Sequence, residues 1–274
     1  MTLQHRIRHL DTAQLALLSL TVLLAACSSK VPARVEIVDG RQIEIATAGT
    51  GGAATVVFES GLGADWTPWD EVASEVAHHA RIFAYSRPGN GASRPAATPR
   101  DPKTIVEELR ALLAFDGYAP PYLLVGHSNG GAYMELFAKS HADEVMGVVL
   151  VDPRHRDFLP TCEAAKLDVC GIPESTLATQ APVVISEYHA FAMASDEIRA
   201  AGGFGAYPVR VLTASNISGS AARQTLWRSM HASLAAEATD GEQIFVQGAG
   251  HYVQVDRPDE VVRAILALLS ATSP

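Results

Sequence analysis

Positive charge is scarce in this sequence. Its 274 residues hold 21 Lys and Arg against 30 Asp and Glu, a formal net charge of -9. A surface of that sign repels phosphate backbones, so nucleic-acid binding is not expected. Cysteine is rarer, at three residues, too few for a fold built on disulfides. Long apolar runs are also missing. The segment from Leu15 to Ala26 is shorter than the about 20 residues that a membrane-crossing helix needs. No repeat occurs at a solenoid period. What is present is 48% hydrophobic residues, 19% charged residues and a mean hydropathy of +0.11. That balance excludes a disordered or fibrous chain and points to one globular domain.

Arg6 and Arg8 precede the run LALLSLTVLLAA, the form of an export signal. Its end, Leu24-Ala25-Ala26-Cys27, resembles a bacterial lipoprotein box. The resemblance implies a signal peptide over 1–26, cleavage before Cys27, a lipid on its thiol and a tether over 27–34. Ser28 instead of Asp after the cysteine implies the periplasmic face of the outer membrane, where the host has two membranes. A plain secretory signal with an incidental cysteine is the alternative. Export leads to an oxidising compartment, so Cys162 and Cys170, close in sequence, are expected to form a local disulfide. A metal site is not expected there, because no neighbouring His or Cys pair completes four ligands and His155 alone beside two thiols is a weak case.

Val35–Val38 and Ile43–Ile45 alternate apolar and polar residues around Asp39-Gly40, which predicts a hairpin. Short apolar runs follow at Thr55–Phe58, Ile82–Tyr85, Tyr122–Val125, Val145–Val151, Val209–Leu212 and Ile244–Val246. Such runs predict strands covered on both faces. Between them the pattern predicts helices over Trp66–His79, Pro102–Phe115, Asn129–Ser140, Ala221–Ala235 and Pro258–Leu269. Asp101 is the candidate cap before Pro102. Alternating strands and helices imply an α/β fold with a mostly parallel central sheet and helices on both faces. The long interval from Val151 to Val209 has no strong strand and reads as an inserted helical cap. The expected division is 35–153 for the first part of the core, 154–207 for the cap and 208–274 for the remainder.

Gly126-His127-Ser128-Asn129-Gly130-Gly131 follows a buried strand and opens a helix. G-x-S-x-G in that setting is a nucleophile elbow: a sharp turn that lifts the serine hydroxyl above the sheet, with small neighbours giving room. Other segments agree with it. Glu59-Ser60-Gly61-Leu62-Gly63 follows an early strand, Tyr85-Ser86-Arg87-Pro88-Gly89-Asn90-Gly91 forms a Gly-rich turn, and Gly250-His251-Tyr252 follows the last strand. Asp256-Arg257-Pro258 opens the final helix. With these residues the chain resembles the α/β-hydrolase fold family from about residue 35 to residue 270. Ser86 stands where that family usually has Asp, and no His precedes Gly61.

A serine hydroxyl needs a base within hydrogen-bond reach. The resemblance implies His251 among the ten histidines. His127 is expected to point away at the turn, and His78 and His79 to lie on a surface helix. His155, His189 and His231 fall in or near the cap, where they either touch substrate or face solvent. The oxyanion of acyl transfer needs aimed N–H donors, and the resemblance implies the amides of Leu62 and Asn129. The acid is less regular. Most family members carry it after the strand equivalent to Val209–Leu212, but Thr213-Ala214-Ser215-Asn216-Ile217-Ser218 holds no carboxylate. A minority place it one strand earlier, where Val149-Leu150-Val151-Asp152-Pro153 supplies Asp152 in the order Ser, acid, His. Asp157, Glu237 or no acid at all are the alternatives, and Asp152 could equally be a turn former before proline.

These residues predict a serine hydrolase acting on a small-molecule ester or related acyl substrate, without metal or organic cofactor. Trp66 and Trp69 either line the pocket or bury the aromatic face of a helix. The same constellation serves peptidases, lactonases, C–C bond hydrolases and cofactor-free haloperoxidases. A lipid-anchored, non-catalytic binding protein that keeps the fold is the reading from another class.

Overall fold

The computed structural model describes residues 30–51 and 54–271. The expected signal peptide over 1–26 and Cys27 lie outside the described residues. The expected tether over 27–34 is corrected at its end: the amides of Lys30 and Val31 donate to Asp70 (2.8 and 2.9 Å), Val31 is buried, and β1 already begins at Ala33. Eight strands form one sheet: β1 (Ala33–Val38), β2 (Arg41–Ala48), β3 (Thr55–Glu59), β4 (Arg81–Tyr85), β5 (Tyr122–His127), β6 (Val145–Val151), β7 (Val209–Ala214) and β8 (Gly241–Val246). Their spatial order is β1-β2-β4-β3-β5-β6-β7-β8. The hairpin β1–β2 and the pair β2–β4 are antiparallel, and every later pairing is parallel. β3 and β5 are buried at every residue, as continuous apolar strands at the centre of a two-faced sheet should be.

The expected helices form with small shifts: α1 (Asp70–Val76), α2 (Pro102–Phe115), α3 (Asn129–Ser140), α8 (Ala221–Ala236) and α9 (Pro258–Ala271). The stretch Trp66–His79 is shorter in helix than its pattern suggested. A 3-10 turn occupies Thr67–Trp69 before α1, and the exposed His78 and His79 lie beyond the helix. Asp101 caps α2, accepting from the Thr104 amide at 2.9 Å, a contact that stabilises a helix by about 1 kcal/mol. Ile105, Leu109, Tyr133 and Phe137 pack in one apolar cluster; Trp69, Val72, Val261 and Ile265 pack in another.

Between β6 and β7 lie four helices: α4 (Phe158–Ala164), α5 (Glu174–Leu177), α6 (Pro182–Ala190) and α7 (Ala194–Ala201). Phe191, Ala194 and Ile198 from this interval join the same apolar cluster as Tyr133 and Phe137. Cys162 at the end of α4 is bonded to Cys170, with Cα atoms 5.5 Å apart. A buried ion cluster ties the interval to the sheet. Arg87 donates to Glu59 Oε1 (2.6 Å) and to Glu187 Oε2 on α6 (2.9 Å), and also to the carbonyls of Ser60 (2.6 Å) and Gly61 (2.8 Å). All three charged side chains are almost wholly buried. Among the described residues no helix is long and apolar enough to cross a membrane.

Candidate active site

The turn between β5 and α3 places Ser128 in a conformation that side chains resist, φ 53° and ψ -121°. A non-glycine residue held there stores about 1–3 kcal/mol of strain, which the packed strand and helix on either side maintain. The flanking glycines are required by contact. A Cβ on Gly126 would meet the Gly130 carbonyl oxygen at 2.5 Å, and one on Gly130 would meet the Glu59 and Ser60 carbonyl oxygens at 2.5 Å. Ser128 sits at the N-cap of α3, yet its hydroxyl makes no capping bond. Its Oγ faces His251 Nε2 instead, at 3.0 Å.

His251 arrives from the loop after β8, and three contacts fix that loop. The Gly248 amide donates to Ser215 Oγ (2.9 Å), the Gly250 amide to Asp256 Oδ2 (2.7 Å), and His127 Nε2 to the His251 carbonyl (2.9 Å). On the far side, His251 Nδ1 lies 2.7 Å from Asp152 Oδ2. A carboxylate accepts, so Nδ1 carries the proton and Nε2 is left free to accept from the Ser128 hydroxyl.

Asp152 ends β6 at a positive φ of 41° and is fully buried. Its Oδ1 accepts from the Ala214 amide (3.0 Å) and the Trp227 indole (3.0 Å). Burial alone would raise its pKa. The bond from His251, the nearby His231 and the indole outweigh burial and hold the carboxyl below its usual range. The other candidate acids are engaged elsewhere: Asp157 with Ser195 (2.6 Å) and Arg199 (2.7 Å), Glu237 with Lys139 (2.6 Å).

Leu62 and Asn129 border the same cavity as Ser128 and His251. Neither amide has a protein acceptor among the backbone bonds described. The Gly61 loop presses against the elbow so closely that a Cβ there would meet Ser128 Cβ at 3.3 Å. The cavity holds about 350 Å³, and Phe158, Ile172, Tyr188, Ile217 and Trp227 form its apolar wall.

Trp66 and Trp69 do not line it. Both are buried, Trp69 stacking at 5.2 Å from Phe58, while the Trp66 amide donates to the buried Ser86 Oγ. Two large rings next to an entirely apolar strand gain more from the core than from a wet cleft. His127 corrects the opposite way: its ring does not turn from the site but borders the cavity, 4.7 Å from the His251 ring. Burial pushes its pKa down to about 3. His231 lies on α8, not in the cap, and is fully buried. It donates to the Pro153 carbonyl (2.8 Å), accepts from Thr213 Oγ1 (2.9 Å), and backs Asp152 from behind. His155 is buried away from the cavity, and His189 is exposed. Trp227 and Arg154, which the sequence did not single out, both border the cavity. Their signal was the helical position of one and the place of the other just after Asp152-Pro153.

A sequence profile of the alpha/beta hydrolase family matches residues 56–264. The uncharacterized protein YqjL of Bacillus subtilis is 28% identical over 214 residues, covering 77% of this chain and 81% of the relative. Among solved structures, the epoxide hydrolase CorEH superposes with a TM-score of 0.66 at 19% identity, covering 89% of this chain and 100% of its own. The enol-lactonase of Burkholderia xenovorans LB400 gives 0.58 at 18%, covering 86% and 100%. At such identities these structures speak for the fold alone. The profile covers most of the chain, including the elbow, Asp152 and His251, and the chain belongs to the alpha/beta hydrolase family.

Proposed function

We propose that the protein is a serine hydrolase that cleaves a carboxylic ester or related acyl substrate through an acyl-enzyme on Ser128. The observation that carries this reading is the continuous relay from Asp152 through His251 to Ser128, at 2.7 and 3.0 Å. His251 Nε2 takes the hydroxyl proton as Ser128 Oγ bonds to the acyl carbon. The carbonyl oxygen becomes an oxyanion, which the Leu62 and Asn129 amides stabilise. The intermediate expels the alcohol, which leaves with the proton from His251. Water then attacks the acyl-enzyme by the same route, releasing the acid and regenerating Ser128. Asp152 keeps the imidazole in the tautomer and orientation this needs.

Labelling with a fluorophosphonate probe, followed by a screen of esters of graded acyl length, tests the reading. Labelling and turnover should both vanish in Ser128→Ala. A wild-type chain that neither labels nor turns over any ester would leave the non-catalytic binding protein standing. That rival drew its support from the missing carboxylate after β7, and Asp152 on β6 removes the need for one there.

The lipoprotein-type box at Leu24–Cys27 supports a second element of this proposal. The mature chain begins at a lipidated Cys27 and is held at a membrane surface, with multiple acyl chains giving firm attachment. Mass spectrometry of the mature N-terminus tests it; an unmodified Cys27 would refute the anchor.

A further inference from the structure

The cavity that holds Ser128 has arginine as its only charged lining, in a chain whose net charge is -9. Two guanidinium groups, Arg154 and Arg223, border it, and no Asp or Glu does. Where this fold sinks a guanidinium for structural reasons it supplies acids, as Arg87 receives Glu59 and Glu187. Arg154 receives none. Its guanidinium lies 5.1 Å from the Tyr188 ring centre and 4.3 Å from that of Phe191. Its side-chain hydrogen bonds go to neutral partners alone, a long contact of 3.5 Å to Asn129 Oδ1 and one with the Tyr188 hydroxyl. Arg223 is more engaged, donating to the carbonyls of Val169 (2.8 Å) and Ser218 (2.6 Å), and the acids that act on it, Asp168 and Asp152, are not part of the cavity lining.

Aromatic faces hold a cation in place without cancelling its charge. A guanidinium so held, bonded to neutral groups and paired with no acid, is prepared for an oxyanion, which it can grip in a bidentate fashion. The position is fixed as well. The Arg154 amide donates to the Ser128 carbonyl at 2.9 Å, so an anion on this side chain would sit at a set distance from the reacting hydroxyl.

We infer that the substrate of this site carries an anionic oxygen group, a carboxylate or a phosphate, which Arg154 binds while Ser128 attacks the acyl carbon. This rests on the serine hydrolase reading above. The neighbouring Arg223 adds to the attractive potential. A cavity of about 350 Å³ suits a short, charged acyl compound better than a long neutral lipid chain.

The test compares the full chain on 4-nitrophenyl hydrogen adipate and 4-nitrophenyl hexanoate, esters of similar length that differ in one terminal charge. The charged ester should have the higher kcat/KM, and added salt should narrow the gap. Arg154→Gln should lower the charged-to-neutral ratio about tenfold to a hundredfold, mainly through KM, and Arg154→Lys should restore part of it. A wild type that prefers the neutral ester, or a ratio unmoved by Arg154→Gln, would overturn the inference. Calorimetric titration of the wild-type chain with adipate and with inorganic phosphate needs neither turnover nor a folded variant. Saturable binding of either supports the anion site and separates carboxylate from phosphate as its ligand; binding of neither overturns it. Loss of ester turnover and of Ser128 labelling, with adipate binding intact, would sink the hydrolase reading while leaving the anion site.

Discussion

The indole nitrogen of Trp227 lies 3.0 Å from Oδ1 of Asp152, while Oδ2 of the same carboxylate meets His251 at 2.7 Å. The two oxygens are thereby assigned different partners, and the carboxylate cannot rotate without breaking one of them. Asp152→Asn keeps the shape but offers His251 either a weaker neutral acceptor or an N–H in place of one, which favours the wrong imidazole tautomer. Turnover should fall by about 10³–10⁴-fold while circular dichroism stays native. Turnover within a few-fold of wild type would remove Asp152 from the relay.

Glu187 on α6 is one of two acids that neutralise the buried Arg87. Glu187→Ala leaves that guanidinium half-compensated in the interior, a loss of about 3–5 kcal/mol. Urea unfolding should report it. Because Arg87 also holds the carbonyls of Ser60 and Gly61, the slackened loop should lower kcat as well, even where the variant is fully folded.

Cys170 borders the cavity, and its bond to Cys162 closes the short loop that contains Val169. Removing the bond in the double variant Cys162→Ser, Cys170→Ser should cost about 2–3 kcal/mol through chain entropy. That corresponds to a fall in Tm of roughly 5–10 °C for a chain of this size. A Tm equal to that of the wild type would show that packing alone holds the loop.

Acid should weaken the fold above the ordinary carboxylate range. Burial depresses the pKa of His127 to about 3 and that of His155 to about 4, whereas both titrate near about 6.5 when unfolded. The unfolded chain therefore binds the additional protons as pH falls from 6.5 towards 4, and stability declines over that window. Each group contributes a slope of up to about 1.4 kcal/mol per pH unit. Asp152, held below the ordinary carboxylate range, adds its own loss as pH falls from that range towards its lowered value. Denaturation midpoints measured from pH 7 to pH 4 should trace this decline, with a shallower slope in His155→Gln. A flat profile would contradict it.

The strands and the elbow were readable because their signals are local. A buried run followed by G-x-S-x-G fixes Ser128 within a few residues, and Asp101 before Pro102 announces its own helix. The relay was partly readable: the empty loop after β7 and the resemblance to members with the acid one strand earlier pointed to Asp152, but Asp157 and Glu237 stayed open because only the folded chain shows which carboxylate reaches His251. His127 was misjudged because its direction depends on a carbonyl more than a hundred positions away, that of His251. Trp66 and Trp69 were ambiguous for the opposite reason: an aromatic pair near a loop carries no local mark of which side the sheet lies on. Arg154 carries no mark either, because what distinguishes it is the company it lacks, and missing neighbours are visible only in three dimensions.

The siting of the carboxylate at the end of β6 has a bearing on how such chains are sorted. A survey that looks for the acid only behind β7 would file this protein, and any homologue built like it, among degenerate members that have lost their chemistry. Asking instead which carboxylate reaches the imidazole, whatever strand delivers it, would keep them among the chains to be assayed.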